Sequence, residues 1–278
     1  MARQLYDYWF VQFDFPDENG RPYKSSGGQM VWNEKLKREI PEGWEVAPIS
    51  SWMSIKSGYP FKSETYNNSG KYRIITIKNV QDGYIDASNC DFLDVVPNDI
   101  KDYIQLKKGD CLISLTGNCG RIGIVYEDNL LLNQRVGLLH TEVEYKYYSV
   151  LLFLSKRMRS ICKLLSNGAA QANLSPIDIC KVQNIIPNKS ILEIFNTIVS
   201  PIFTQILISS EETIHLTKQR DELLPLLMNG QVSVMPSEVN CDLFARLLYC
   251  SKKSNDEKYF YKRCYCTYKY LYDTCRVV

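Results

Sequence analysis

The feature that most limits what this chain can become is a run of apolar residues between 190 and 229. Ile191, Ile194, Ile198, Ile202, Ile206, Leu216, Leu223 and Leu227 recur at helical intervals of three, four and seven-like steps. Asn188, Lys189 and Ser190 offer a start, Glu193 stands three residues after Ser190 as in a capping box, and Gly230 offers a stop. A helix of about forty residues runs ~60 Å at ~1.5 Å per residue. That is too long to bury its stripe on one small domain, so it should seek another helix. Pro201 removes one backbone donor and is expected to kink it.

The rest divides by composition into four pieces. Residues 1–15 look like the end of a helix, with Leu5, Tyr8 and Trp9 at helical spacing. Residues 16–43 are polar and rich in Gly and Pro, and read as a linker. Residues 44–189 read as one mixed domain entered at Trp44. Within it Tyr72–Ile77, Cys111–Leu115 and Gly123–Tyr126 are short, β-branched strand segments bounded by turn residues. Tyr147–Leu165 reads as one helix with Val150, Leu151, Leu154, Met158, Ile161 and Leu165 on its apolar stripe. After the helix of 190–231, residues 232–278 form an atypical tail rich in Cys and Tyr, without period or turn punctuation, and disorder is one reading of it. The expected class is α+β: a mixed α/β domain followed by a long helix that pairs as a hairpin or coiled coil.

Bulk numbers exclude more than they choose. Cys90, Cys111, Cys119, Cys162 and Cys180 are scattered singly and read as small buried side chains. No CxxC pair occurs, and Cys264-x-Cys266 fits zinc ligation poorly, so no metal site is expected. The net charge of +2 argues against a globally basic surface, and residues 45–189 hold 17 basic and 14 acidic side chains, so any nucleic-acid footprint must be one local face. No uncharged apolar run approaches the ~18 residues that span a bilayer, and residues 1–10 do not read as a signal peptide. The expected location is therefore cytoplasmic, with no membrane association.

Reactive chemistry is missing as well. Neither GxGxxG nor GxxxxGK[ST] is present, nor a [DN]PP[YF] methyltransferase tetrapeptide. His140 and His215 lie near no Ser- or Cys-centred motif and read as structural or solvent-facing. Glu211-Glu212 and Glu142/Glu144 read as solvated faces. A binding protein without cofactor or catalytic residues is the expectation.

Several blocks in order carry a resemblance. They are Tyr6–Pro16 with Pro22–Gly28, then Ile40–Trp44 (IPEGW), Ser57–Ser63 (SGYPFKS) and Gly109–Gly117 (GDCLISLTG). Leu132–Val136 (LNQRV), Gln171–Ser175 (QANLS) and Arg220–Gly230 (RDELLPLLMNG) follow. Over residues 3–235 the chain resembles specificity subunits of type I restriction-modification systems. The resemblance implies a target-recognition domain reading one half of a bipartite double-stranded DNA site, with long helices as spacers. It implies partners: modification (methyltransferase) subunits carrying S-adenosylmethionine, and a restriction subunit with ATP and Mg. It also implies a chain with no catalysis of its own.

Reading bases in the major groove takes Arg for guanine and Asn or Gln for adenine, while Lys, Ser and Thr grip phosphate. Lys62, Ser63, Asn118, Arg121 and Arg135 are the DNA-binding candidates. Gly58, Phe61, Gly117, Gly120, Asn133, Gln134, Gln171 and Asn173 are expected to be scaffold, because residues shared among readers of different sequences do not specify bases. Loops 65–71 and 81–89 are the expected base readers. Ile194, Ile198, Ile202, Ile206, Leu216, Leu223 and Leu227 are expected to dock partners. A full-length subunit of this kind carries two recognition domains, and one is visible here. A half-size subunit working as a homodimer or beside a second specificity half is one expectation. A non-DNA interaction module, or an inactive remnant or silent cassette that only binds modification subunits, is the other.

Overall fold

The computed structural model describes residues 1–166 and 172–231. The tail of 232–278 and Gln171 lie outside the described residues. The chain divides into two units between His215 and Leu216.

In the first unit, helix α1 (Ala2–Tyr6) widens into a π turn over Asp7–Val11, where Gln12 N–H donates to the Asp7 carbonyl at 2.9 Å. The extra residue per turn rotates the apolar face. Tyr6, Trp9, Phe10 and Phe13 are buried and Tyr8 is exposed, whereas simple helical spacing predicts Leu5, Tyr8 and Trp9 together. Strands β1 (Met30–Asn33) and β2 (Arg38–Pro41) then pair as a hairpin, Val31 facing Ile40. This overturns the expected linker of 16–43. Aromatic packing overrides its Gly and Pro punctuation: Phe15 stacks between Tyr23 and Trp44, with ring centroids 4.7 and 4.8 Å away. Buried Asp14 accepts from Ser25 N–H and Oγ, both at 2.7 Å.

Strand β3 (Glu45–Pro48) leads to β4 (Met53–Ser57), β5 (Tyr72–Ile75), β6 (Asp91–Leu93) and β7 (Gln105–Leu106). Then come β8 (Cys111–Ser114), β9 (Ile122–Ile124), β10 (Leu130–Leu132) and β11 (Val136–Thr141). Strands β4 to β11 form two four-stranded sheets, ordered β6-β5-β10-β7 and β4-β11-β8-β9. Period-two alternation sorts the β8 side chains to two sides. Leu112 joins Val136, Leu138, Ile75, Leu130 and Leu132 in a cluster shared by the two sheets. Cys111 and Ile113 join the cluster that the helices cover. The opposite face of the β5 sheet is closed by Phe61, Ile74, Leu93, Ile104 and Leu131. The class is α+β, as expected.

The helical layer departs from the single helix expected over 147–165. Helix α2 (Lys146–Leu154) ends at Ser155, whose backbone is extended (ψ 150°), and α3 (Lys156–Ser166) begins anew. Ser155 causes the break: its Oγ accepts from Met158 N–H at 3.2 Å, which is N-cap geometry. Val150, Leu151 and Met158 are buried as expected, but Cys162 takes the inward place expected for Leu165, which is exposed. Cys111 is also fully buried, while Cys90, Cys119 and Cys180 are only half-buried. After α4 (Pro176–Cys180), strand β12 (Gln183–Ile186) pairs with β3.

Helix α5 (Lys189–Met228) is 40 residues long and runs through Pro201 without interruption. It starts one residue before Ser190, with Ile191 N–H donating to the Asn188 carbonyl at 3.1 Å. Ser190 is therefore inside the helix and does not cap it. A face that the spacing argument overlooked holds α5 on the first unit. Leu192, Phe195 and Val199 are wholly buried, Phe195 packs 4.8 Å from Phe10, and Tyr147 lies 5.0 Å from Phe203. Lys108 and Glu211 pair at 2.6 Å, so Glu211 does more than solvate. The first compact unit therefore does not stop at residue 189; it includes the helix as far as His215. By length and composition alone α5 is long and apolar enough to cross a membrane, with a mean hydropathy of 1.7 over 18 residues, although Glu193, Asn196 and Gln205 interrupt its apolar run. Its inward residues are already packed in the protein core.

In the second unit the described residues finish α5. Gly230 at φ +67° lets its own N–H reach the Leu227 carbonyl at 3.2 Å and Gln231 N–H reach that of Leu226 at 2.9 Å, the expected glycine stop.

Candidate nucleic-acid interface

The motif blocks meet at one end of the β4-β11-β8-β9 sheet. Pairing of Ser57 with Gly137 and of Ser114 with Val136 brings the ends of β4 and β8 to the start of β11. Tyr59 N–H donates to the Leu132 carbonyl at 2.9 Å and Gln134 N–H to the Tyr59 carbonyl at 3.1 Å. Leu115 N–H reaches the Arg135 carbonyl at 3.1 Å, and Leu174 N–H the Leu115 carbonyl at 2.7 Å. Thr116 and Asn173 form a bridge. Four blocks far apart in sequence are thus sewn edge to edge by backbone hydrogen bonds.

Beneath that edge lie several of the residues expected to be scaffold. Gly58 lies against the backbone of Leu132 and Asn133, where a Cβ would overlap the Asn133 carbonyl. Gly120, at φ +78°, would place a Cβ 2.6 Å from Cys162 Cβ. Phe61 is buried in the outer cluster of the β5 sheet. Gly117 turns the loop at φ +71° beside Ile77. Asp110 accepts from Lys107 N–H at 2.8 Å to close the turn before β8, and burial pushes its carboxyl up despite that bond. Tyr59 donates to Asp99 at 2.9 Å, which raises its phenol and fixes the ring at the edge. Asn133 is half-buried with its backbone N–H on the Ile75 carbonyl at 3.2 Å. Gln134 and Asn173 serve through their backbones, and their side chains are exposed.

The outward residues differ in kind. Lys62, Ser63, Asn118 and Arg135 are exposed. The Asn118 carbonyl, not its side chain, accepts from Ser114 Oγ at 2.5 Å. Arg121 is half-buried and donates to Gln81 Oε1 at 3.1 Å. Exposed Lys78 sits on a turn that the sequence reading passed over. Buried Asn79 locks that turn, its Oδ1 accepting from Thr76 N–H at 2.9 Å and Thr76 Oγ1 at 2.8 Å. The signal was a Lys-Asn pair directly after the strand run YRIITI. Among the described residues, Lys62, Lys78 and Arg135 have no carboxylate within 4.0 Å. Of the two loops expected to read bases, 65–71 is exposed apart from half-buried Tyr66. In 81–89, Ile85 and Ala87 are core residues.

On α5, Ile194, Ile198 and Ile206 are exposed in the first unit, whereas Ile202 packs on the domain core. An open groove of about 620 Å³ runs along Pro201, Gln205, Ile206, Ser209 and Thr213. Leu216, Leu223 and Leu227 are exposed in the second unit.

Comparison with known proteins agrees with the sequence blocks. A family profile described as "Type I restriction modification DNA specificity domain" matches residues 41–222. The chain is 27% identical over 248 residues to the MjaIX specificity subunit of a type I restriction enzyme from Methanocaldococcus jannaschii, covering 84% of this chain and 52% of that one. It is 28% identical over 198 residues to the HindI specificity subunit from Haemophilus influenzae, covering 69% and 42%. A crystal structure of an HsdS subunit from Thermoanaerobacter tengcongensis aligns at a TM-score of 0.44 and 13% identity, covering 83% of this chain and 50% of that one. The chain spans about half the length of the curated relatives it matches.

Proposed function

The chain belongs to the type I restriction-modification DNA specificity family, and from that premise we propose that it reads one half of a bipartite target in double-stranded DNA. The reading edge is the sheet end carrying Lys62, Ser63, Lys78, Asn118, Arg121 and Arg135. Exposed cations without carboxylate partners, lying over a hydrogen-bonded backbone platform, support this reading above all. Lys62, Lys78 and Arg135 grip phosphates and set register, while Asn118 and the Arg121–Gln81 pair offer donors and acceptors to base edges. The chain performs no catalysis; methyl transfer and cleavage, with their S-adenosylmethionine, ATP and Mg, fall to modification and restriction subunits in the same cytoplasmic complex.

Comparing the methylomes of cells with and without the gene tests this function. Loss of one adenine-methylation motif is expected, and unchanged methylation would leave the remnant reading standing. Arg121→Ala is expected to weaken duplex binding about tenfold, within the range for one base-reading arginine. The fold should survive, because the only side-chain partner of Arg121 among the described residues is Gln81. Unchanged affinity would remove Arg121 from the contact set.

The exposed face of α5 through Ile194, Ile198 and Ile206 serves to dock a second specificity half or a second copy. Sedimentation velocity at micromolar concentration is expected to show a dimer that Ile194→Asp with Ile198→Asp dissociates. A strict monomer would eliminate the homodimer.

A further inference from the structure

Away from the reading edge, a cavity of about 360 Å³ opens between α1, β2, the α2–α3 junction and β12. Its charge is one-sided: Arg3, Arg38, Lys156 and Arg157 line it against the single carboxylate of Asp7. Among the described residues, none of these four cations has a carboxylate within 4.0 Å.

Half-buried Arg38 and exposed Arg157 are both held in place. Arg157 Nη1 donates to Asn184 Oδ1 at 3.0 Å; Asn184 is buried and its Nδ2 donates in turn to the Tyr148 hydroxyl at 2.9 Å. Tyr148 donates onward to the Ile185 carbonyl at 2.7 Å. Arg38 donates to the Val11 carbonyl at 3.2 Å and lies 4.5 Å over the Phe13 ring. Burial, and then the charge of Arg157, depress the Arg38 guanidinium from its usual value. The phenols of the cavity do not compensate, since burial pushes Tyr6 and Tyr148 far up and keeps both neutral. The N-terminus of the eleven-residue α3 adds partial positive charge at the same mouth.

We propose that this cavity is a binding site for a phosphate group borne on an organic body. Four cations against one carboxylate suit a dianion. Two pre-positioned guanidinium forks match tetrahedral oxygens. Phe10, Leu151 and Leu152 supply an apolar wall for the carbon portion, and the volume falls at the small end of the ~300–1,000 Å³ of ligand pockets. The source of the phosphate is either a free phosphate ester or the backbone of nucleic acid. Arg3 lies close to Gly83, on the turn that also bears Gln81, the partner of Arg121. The site does not depend on the DNA-reading function, and a failure of one leaves the other intact.

Titration calorimetry of the full chain with inorganic phosphate, chloride balancing the ionic strength, tests the proposal. One site at least tenfold tighter for phosphate than for chloride is expected, weakened about tenfold or more by Arg38→Met or Arg157→Gln. Arg38 packs on Phe13, so circular dichroism checks each variant; should Arg38→Met not fold, Arg157→Gln at the cavity mouth carries the test. Phosphate binding no tighter than chloride, or unchanged in a folded variant, overturns the site. Repeating the titration with saturating duplex separates the sources. Lost phosphate binding identifies the nucleic-acid backbone as occupant, and retained binding identifies a free ester.

Discussion

Binding of this chain to random-sequence duplex is expected to weaken about 100-fold as monovalent salt rises from roughly 50 to roughly 200 mM. The size follows from counting cations at the sheet end: Lys62, Lys78 and Arg135 on phosphates, joined on random sequence by Arg121, which there has no cognate base edge to read and falls to phosphate as well. Each phosphate neutralised releases condensed counterions and adds about −0.9 to the slope of log affinity against log salt. Four such contacts over a fourfold change in salt give about two decades. The net charge of the whole chain is only +2, so a smeared, non-local attraction is a poor rival explanation. Replacing Lys62 and Arg135 together by Ala should make the slope shallower by about two. Neither side chain makes a hydrogen bond or ion pair among the described residues, so stability should be unaffected. A flat salt dependence measured by fluorescence anisotropy would favour the non-DNA interaction module.

Gly58→Ala is expected to be the most damaging single substitution at the edge, lowering stability by about 3 kcal/mol or more, beyond the ordinary ~1–3 kcal/mol of overpacking. The reason lies in what the new methyl would meet. The atoms in its way are the backbone carbonyls of Leu132 and Asn133, which cannot rotate aside as a side chain can. Moving them breaks the hydrogen bonds of Tyr59 N–H and Gln134 N–H that join the two motif blocks. For a protein of this size the loss corresponds to a fall in melting temperature of roughly 6–12 °C. Gly20→Ala is the control. Its φ of +74° strains an L residue, but nothing lies within 4 Å of the added Cβ, so a cost of only about 1 kcal/mol is expected. Equal melting temperatures for the two variants would mean that the Gly58 contact is not a structural requirement.

Local spacing alone determined the long helix and its glycine stop, the presence of strands near 72–77, 111–115 and 123–126 (formed at 72–75, 111–114 and 122–124), and the α+β class. Each depends on residues within a few positions of one another. Family membership was legible too, because ordered blocks such as GYPFKS and LNQRV survive as text whatever their neighbours are in space. Only tertiary structure decided how those blocks are joined. Nothing in the sequence near Gly58 announces that its Cα must lie on the carbonyl of residue 133. The same non-local logic made residues 16–43 a hairpin, since Phe15, Tyr23 and Trp44 find one another across a stretch that composition marks as linker. It also divided the faces of α5, because Leu192, Phe195 and Val199 turn inward only where Trp9 and Phe10 have built a surface to receive them. The sequence prescribes short-range geometry directly, while long-range partners emerge only when the chain closes and burial selects among surfaces that look equally apolar on paper.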